Sequence, residues 1–216
     1  MGRNMQKRLV RKLDLERAIA EIQPHPLPKA YFEQYTIPPD VAAEILYIAT
    51  YIYDDIAEKI VVDLGCGTGR LAIGAALLGA KETFGIDIDH LAVRTARKNA
   101  ENLKVDRKTN WIIADLEVLR GRFHTVLQNP PFGVQRRGAD RKFIEKALEI
   151  SHRVYSLHKS GVSNREFIKR FIELHGGKVT GILQLEMNIP KMFEFHIERK
   201  HKLKVDLYLI EGKAYG

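Results

Sequence analysis

The sequence Asn-Pro-Pro-Phe at residues 129–132 carries the most specific chemical signal of the chain. The Asn129 side-chain oxygen and the Pro130 carbonyl can both accept hydrogen bonds from one planar NH₂ group. Holding both N–H bonds would turn the nitrogen lone pair toward an electrophilic methyl group, so orientation and electrostatics do the work rather than a strong base. Pro131 stiffens the turn, and Phe132 offers a ring face on which a flat base could stack.

A glycine-rich turn follows the first predicted strand. Gly65, Gly67 and Gly69 let the backbone turn sharply and approach a ligand closely. The turn lacks the Gly-Lys-Ser/Thr of a P-loop. Its Gly-x-Gly-x-Gly spacing also departs from the dinucleotide fingerprint, which disfavours a nicotinamide oxidoreductase. Asp63 places a carboxylate beside the turn, which suits a ligand that carries an ammonium group.

Two further acids end the next two predicted strands. Asp87 comes about 20 residues after the turn, where a carboxylate can accept hydrogen bonds from both hydroxyls of a ribose, while Asp89 is predicted to cap the next helix. Asp115 is placed to reach an adenine amino group. Each acid alone could be an ordinary solvated carboxylate. Three acids at successive strand ends beside one glycine-rich turn predict a nucleotide pocket.

The elements that must position these residues alternate between strand and helix from Lys59 onward. Short β-branched runs are separated by helical spacings, whereas the last two runs, 178–187 and 204–210, have no helix between them and should pair antiparallel. The pattern predicts an open α/β sheet that is mostly parallel and contains one reversed strand. Such sheets bind ligands beyond the carboxyl ends of their strands, where the residues above lie.

We predict two regions in the chain. Residues 1–54 form an N-terminal helical extension, in which Asp40 caps a helix after Pro38-Pro39. Residues 55–216 form one globular unit that contains the sheet.

The glycine-rich turn, the three acids and the Asn-Pro-Pro-Phe segment together resemble the class I S-adenosylmethionine-dependent methyltransferases over roughly residues 30 to 210. The resemblance implies a Rossmann-like, seven-stranded sheet. It also implies that the 65–69 turn holds the methionine portion of S-adenosylmethionine, Asp87 the ribose and Asp115 the adenine. The Asn-Pro-Pro-Phe segment resembles motif IV of the amino-methyltransferases, which act on base amines or on the glutamine amide of release factors.

Three segments are similar to one subfamily, the methyltransferase-like-five group of small-subunit ribosomal RNA adenine-N6 methyltransferases and its archaeal relatives. They are 33–36, 154–159 and the stretch from Asn129 to Asp140. The resemblance implies that Gln34, Tyr35 and Thr36 belong to a lid near the methionine end of the cofactor. The family's Pro-Thr at the lid is replaced here by Thr36-Ile37-Pro38.

Positive charge supports an RNA substrate. Lys and Arg outnumber Asp and Glu by 35 to 27, a net charge of +8, which favours an anionic partner without identifying it. Arg136, Arg137, Arg141 and Lys142 follow the Asn-Pro-Pro-Phe turn and are predicted to contact phosphates. The choice of RNA over DNA rests on the family resemblance.

The resemblance further implies a small zinc-containing activator subunit that adds a strand beside Trp111–Ile113, since the third strand is an edge in the usual order of this fold. Shielding of that edge by the N-terminal helices is the alternative. The chain itself shows no metal-ligand spacing and no apolar run of membrane-spanning length. Its lone cysteine, Cys66, fits a reducing compartment, so we expect a cytoplasmic protein.

Adenine-N6 methylation of small-subunit ribosomal RNA is the leading hypothesis. A protein glutamine methyltransferase with the same turn is the second, and the basic flank at Arg136 and Arg137 argues against it. A noncatalytic RNA- or partner-binding module is the third, and the intact Asn-Pro-Pro-Phe segment argues against that.

Overall fold

A seven-stranded sheet organises the protein. The computed structural model describes residues 10–29, 31, 33, 36–132, 138–190 and 200–212. The strands are β1 (Ile60–Leu64), β2 (Glu82–Asp87), β3 (Thr109–Ile113), β4 (Phe123–Gln128), β5 (Ser151–Lys159), β6 (Lys178–Pro190) and β7 (Lys200–Glu211). Their order is β3-β2-β1-β4-β5-β7-β6. Only β7 runs against its neighbours, so the predicted sheet with one reversed strand is confirmed.

Six α-helices cover the two faces of the sheet. They are α1 (Lys12–Ala20), α2 (Pro39–Tyr47), α3 (Arg70–Leu77), α4 (His90–Asn102), α5 (Ala139–Ile150) and α6 (Val162–Leu174), and a π-helical turn, Ile48–Ile52, follows α2. No helix within the described ranges is long and apolar enough to cross a membrane.

Side-chain alternation along the strands creates two apolar cores, one on each face. Val61 of β1 packs with α1, α2 and α3, whereas its neighbour Val62 packs with α5 and α6. Both residues are fully buried. Because helices cover both faces, the central strands are held in one register. Because these strands are parallel, their carboxyl ends meet along one edge of the sheet.

The N-terminal helices belong to the first core. Leu15 and Ile19 of α1 and Val41 and Ile45 of α2 are buried in the same cluster as the sheet residues. This shared core does not test the predicted boundary near residue 54, which stays a prediction. The predicted cap at Asp40 is wrong, because α2 begins at Pro39 after Pro38 and no side chain caps it. A proline in the first turn lacks an N–H and has a preset φ, so it can begin a helix without a polar cap.

β3 is an edge strand, as predicted. Ile112 and Ile113 are 36% and 55% exposed, so the N-terminal helices do not shield them. Trp111 is half-buried instead and packs inward over Gly85 of β2. A Cβ atom at Gly85 would lie 2.3 Å from Cζ3 of the indole. The glycine thus makes room for the aromatic ring that anchors the edge strand.

We expect Gly85→Ala to lower the free energy of unfolding by about 1–3 kcal/mol, since the indole and β3 must move to admit a methyl group. Gly181→Ala is the matched control, because a Cβ at this strand glycine would meet Leu209 at 3.8 Å, an ordinary contact. Urea unfolding of both variants checks the expectation. Equal stability of the two would contradict the packing role of Gly85.

Candidate active site

A cavity of about 320 Å³ opens at the carboxyl ends of β1, β2 and β4. Its wall brings together residues that are far apart in the sequence and were predicted to act together. They are Thr36, Asp63, Gly65, Gly67, Asp87, Asp115, Asn129, Pro131 and Lys142. The glycine-rich turn, the three acids and the Asn-Pro-Pro-Phe segment therefore share one pocket.

The glycines of the turn have different tasks. Gly65, Gly67 and Gly69 all have positive φ, at 68°, 52° and 91°, a conformation that glycine adopts without strain. A Cβ at Gly67 would meet nothing within 4 Å, so the backbone there faces open space. A Cβ at Gly69 would lie 2.6 Å from Trp111. Gly69 precedes α3 and lies outside the cavity wall, so we assign it to the conformation and packing of the turn.

Asp87 connects the turn to the second strand. Its Oδ2 accepts from the N–H of Gly67 at 2.9 Å, and its Oδ1 accepts from the N–H of Asp89 at 2.9 Å. Burial raises the pKa of Asp87, against the lowering effect of these two bonds. The predicted cap at Asp89 is confirmed, since its Oδ1 accepts from the N–H groups of Leu91 and Ala92 at the start of α4.

Asp63 is only 2% exposed. Its Oδ2 accepts from the N–H of Ala72 at 3.1 Å. Burial raises the pKa of Asp63 to about 7, and the negative charge of Asp87 acts in the same direction. A cation in the cavity would favour the ionised carboxylate and offset part of its desolvation.

Asp115 lies in the wall at the end of β3 and is exposed. Its Oδ1 accepts from the N–H of Glu117 at 2.9 Å, which caps a short 3₁₀ turn. Ile88, Leu116 and Phe143 supply apolar surface to the same cavity. The sequence analysis did not assign them, although Ile88 and Leu116 directly follow Asp87 and Asp115 at the strand ends.

Asn129 presents an unsatisfied acceptor to the cavity. Its Oδ1 is buried and has no hydrogen-bond partner within the described part of the chain. Pro130 is buried, and Pro131 lies in the cavity wall. Phe132 is half-buried, packs against the first core and lies outside that wall. Stacking of a base on Phe132 therefore stays a prediction.

A buried polar row supports the strand ends beneath Asn129. Gln128 Nε2 donates to Ser156 Oγ at 2.8 Å, and this hydroxyl lies 2.6 Å from Nε2 of His158. Burial lowers the pKa of His158 to about 3, so the ring is neutral near pH 7. These contacts join β4 to β5 next to the turn. We therefore interpret His158 as a structural residue.

The structure also shows which residues hold the N-terminal segment over the pocket. The half-buried Arg70 guanidinium donates to the carbonyl oxygens of Ile37 and Ile22. Asn99 donates to the carbonyl oxygens of Gln23 and Thr68, at 3.1 Å each. These side chains tie Ile22, Gln23 and Ile37 to the glycine-rich turn and the start of α3. Their type alone gave no signal, because their partners are backbone groups far away in the sequence.

Of the four residues predicted to contact RNA, the structure describes Arg141 and Lys142, and it places them differently. Arg136 and Arg137 lie outside the described residues, as do Gln34 and Tyr35 of the predicted lid. The Arg141 guanidinium lies 4.8 Å from the ring centroid of Phe167. Lys142 lies in the cavity wall and pairs with Glu117. Arg141 thus remains on the surface, whereas Lys142 borders the pocket.

These residues fit S-adenosylmethionine. Asp63 suits its ammonium group, the open backbone at Gly67 admits its methionine portion, and Asp87 retains acceptor capacity for ribose hydroxyls. No group of three metal-ligating side chains occurs among the described residues.

Comparisons with known proteins give the same class of enzyme. The model of the family described as ribosomal protein L11 methyltransferase (PrmA) matches residues 48–129. An uncharacterized protein of Methanocaldococcus jannaschii is 39% identical over 96% of this chain and 97% of its own length. The rRNA N(6)-adenosine-methyltransferase Mettl5 of Drosophila melanogaster is 37% identical over 85% of this chain and 88% of its own length.

A solved structure agrees with these relatives. The crystal structure of a Pyrococcus horikoshii protein, provisionally named an RNA methyltransferase, superposes with a TM-score of 0.88 at 40% identity. The match covers 95% of this chain and 99% of that chain.

We expect the cofactor-free protein to lose roughly 2–3 kcal/mol of stability between about pH 5 and pH 7, relative to Asp63→Asn. The unfolded carboxyl ionises near pH 4, whereas the folded one is held neutral up to about pH 7. Rising pH therefore favours unfolding. The amide introduced by Asp63→Asn would keep the bond from Ala72 without titrating. Urea unfolding at about pH 5 and pH 8 measures the difference, and parallel pH profiles would contradict it.

Proposed function

Since the chain belongs to the rRNA N(6)-adenosine-methyltransferase family of Drosophila Mettl5, we propose that it methylates N6 of an adenosine in small-subunit ribosomal RNA. The chain is an S-adenosylmethionine-dependent methyltransferase.

The observation that carries the proposal is the buried, unpaired Oδ1 of Asn129 in the cavity wall. A buried acceptor without a donor costs about 1–3 kcal/mol. An exocyclic amine in the pocket would supply the missing donor. The cost is then recovered on substrate binding, and the bond fixes the direction of the nitrogen.

The protein's part in the reaction is orientation. Asn129 Oδ1 and the Pro130 carbonyl each accept a hydrogen bond from one N–H group of the adenine amine. These two bonds direct the nitrogen lone pair at the reacting carbon. S-adenosylmethionine, when bound, supplies the electrophilic methyl group. The two acceptors also stabilise the positive charge that develops on the nitrogen. The adenine must be unpaired or leave its stack to reach this turn.

Binding of RNA involves basic residues next to the turn. Arg141 at the start of α5 is exposed and supported by Phe167. Together with Arg136, Arg137 and the net charge of +8, it provides a phosphate-contacting flank. We place this activity in the cytoplasm, consistent with a single free cysteine.

We also propose that the zinc-containing activator subunit pairs with β3. Ile112 and Ile113 leave an apolar edge exposed, and an open edge strand is a template for an added strand. An added strand would satisfy the free backbone groups of β3 and cover both side chains.

We expect Asn129→Ala to lower methyl transfer to small-subunit ribosomal RNA by at least about 100-fold. Cofactor affinity should change only a few-fold, because the carboxylates and the glycine-rich turn stay in place. Transfer of labelled methyl from S-adenosylmethionine, followed by nucleoside digestion, measures the product. Asn102→Ala, at an exposed site at the end of α4, is the matched control.

Label in N6-methyladenosine that disappears only in Asn129→Ala is the expected result. Label in another nucleoside would contradict the assigned amine. Label in a protein glutamine would support the glutamine methyltransferase, and binding of RNA without any transfer would support a noncatalytic role.

We expect Ile113→Lys to weaken binding of the activator subunit by about tenfold or more, since a buried apolar contact is replaced by a charge. Leu13→Lys is the matched control, because Leu13 lies on α1 and is 54% exposed against 55% for Ile113. Co-expression followed by size-exclusion chromatography measures complex formation. A wild-type chain that stays alone beside the activator would refute this contact.

A further inference from the structure

We propose that Glu33 is a positioning residue, which holds the Asn-Pro-Pro-Phe turn through the backbone N–H of Phe132. Glu33 Oε2 accepts from this N–H at 2.7 Å, across 99 residues of sequence. The inference rests on the proposed function, because it assigns a role in orienting the substrate amine at the same turn.

The bond has unusual weight because of the two prolines. Pro130 and Pro131 have no N–H, so the N–H of Phe132 is the first donor after Asn129 with which the protein can hold the turn. A carboxylate is a stronger acceptor than a neutral oxygen, and such charge-assisted bonds are about twice as strong as neutral ones. Glu33 therefore holds the turn by a hydrogen bond, which Pro130 and Pro131 cannot form because they have no N–H.

The backbone of Glu33 supports a specific role. Its φ is 51°, a left-handed conformation that is strained for any residue other than glycine. Such conformations persist only where the surrounding contacts hold them. Glycine at position 33 would relieve the strain but would remove the carboxylate that reaches Phe132.

Glu33 is also part of the pocket itself. It lines the same cavity wall as Asn129 and Asp63, and it is half-buried. Since Asn129 is three residues before Phe132 and the two prolines between them restrict the backbone, fixing the Phe132 N–H limits movement of the backbone that carries the Asn129 side chain. Loss of the anchor should impair orientation of the amine more than binding of the cofactor.

The contact can be measured without any activity. Uniformly deuterated protein with ¹⁵N-labelled phenylalanine gives at most nine amide signals, one for each Phe. The Phe132 signal is assigned by its disappearance in Phe132→Tyr. In cofactor-free protein we expect its amide to be protected from hydrogen exchange by about tenfold more than in Glu33→Ala. Glu33→Gln, which keeps an acceptor, should retain part of that protection.

Kinetics then tests the positioning role. We expect Glu33→Ala to lower kcat by roughly 10- to 100-fold, while the Kd for S-adenosylhomocysteine changes by less than about threefold. Glu33→Gln should recover much of kcat. Glu58→Ala is the matched control, because Glu58 is an exposed glutamate with a φ of 61° away from the cavity.

The outcomes separate the two proposals. Unchanged exchange at the Phe132 amide in Glu33→Ala would overturn the contact. Equal losses of kcat and cofactor affinity in both Glu33 variants would overturn the positioning role and make Glu33 part of the cofactor wall. A wild-type enzyme that does not methylate RNA would count against the proposed function, whereas the exchange measurement would still report on Glu33.

Discussion

A buried acceptor that lacks a donor is the constraint on which the active site depends. Asn129 Oδ1 lies at the end of β4, and no group within the described residues satisfies it. The strand brings the amide to the carboxyl edge of the sheet, and the two prolines that follow cannot offer it an N–H. The fold therefore maintains an unpaired oxygen in a cavity, where the free energy lost on folding can be regained when a planar amine binds. The same arrangement would favour an amine over a ring carbon, which has no N–H to donate.

The carboxylates of the pocket are also polar groups that folding removes from water. Asp63 is buried and Asp87 is half-buried nearby, and burial raises the pKa of both carboxyls. Backbone N–H groups from Ala72, Gly67 and Asp89 offset part of this cost. What remains favours a ligand that brings an ammonium group to one carboxylate and hydroxyl groups to the other. We therefore propose that cofactor binding relieves part of the desolvation of these two acids.

The sequence predicted the sheet and the composition of the pocket because both depend on local patterns. Alternation of β-branched runs and helical spacings indicated a mostly parallel sheet, and each acid lies at or within two residues of the carboxyl end of a strand. The cap of α2 was misassigned to Asp40, since a proline at the helix start makes a polar cap unnecessary. Gly69 lies outside the pocket wall, and its φ of 91° together with its close packing against Trp111 accounts for a glycine there. Glu33, Arg70 and Asn99 could not be assigned from sequence, as each contacts backbone atoms that only the folded chain brings near.

The most direct test of the account is a crystal structure of the protein with S-adenosylhomocysteine and a single-stranded RNA that contains adenosine, whose N6 amine keeps both N–H bonds. We expect the amine nitrogen to lie about 2.7–3.2 Å from both Asn129 Oδ1 and the Pro130 carbonyl oxygen, with the ribose of S-adenosylhomocysteine at Asp87. An adenine that binds with its amine away from Asn129, while S-adenosylhomocysteine occupies the cavity, would contradict the central claim that the unpaired amide oxygen selects and orients the substrate amine.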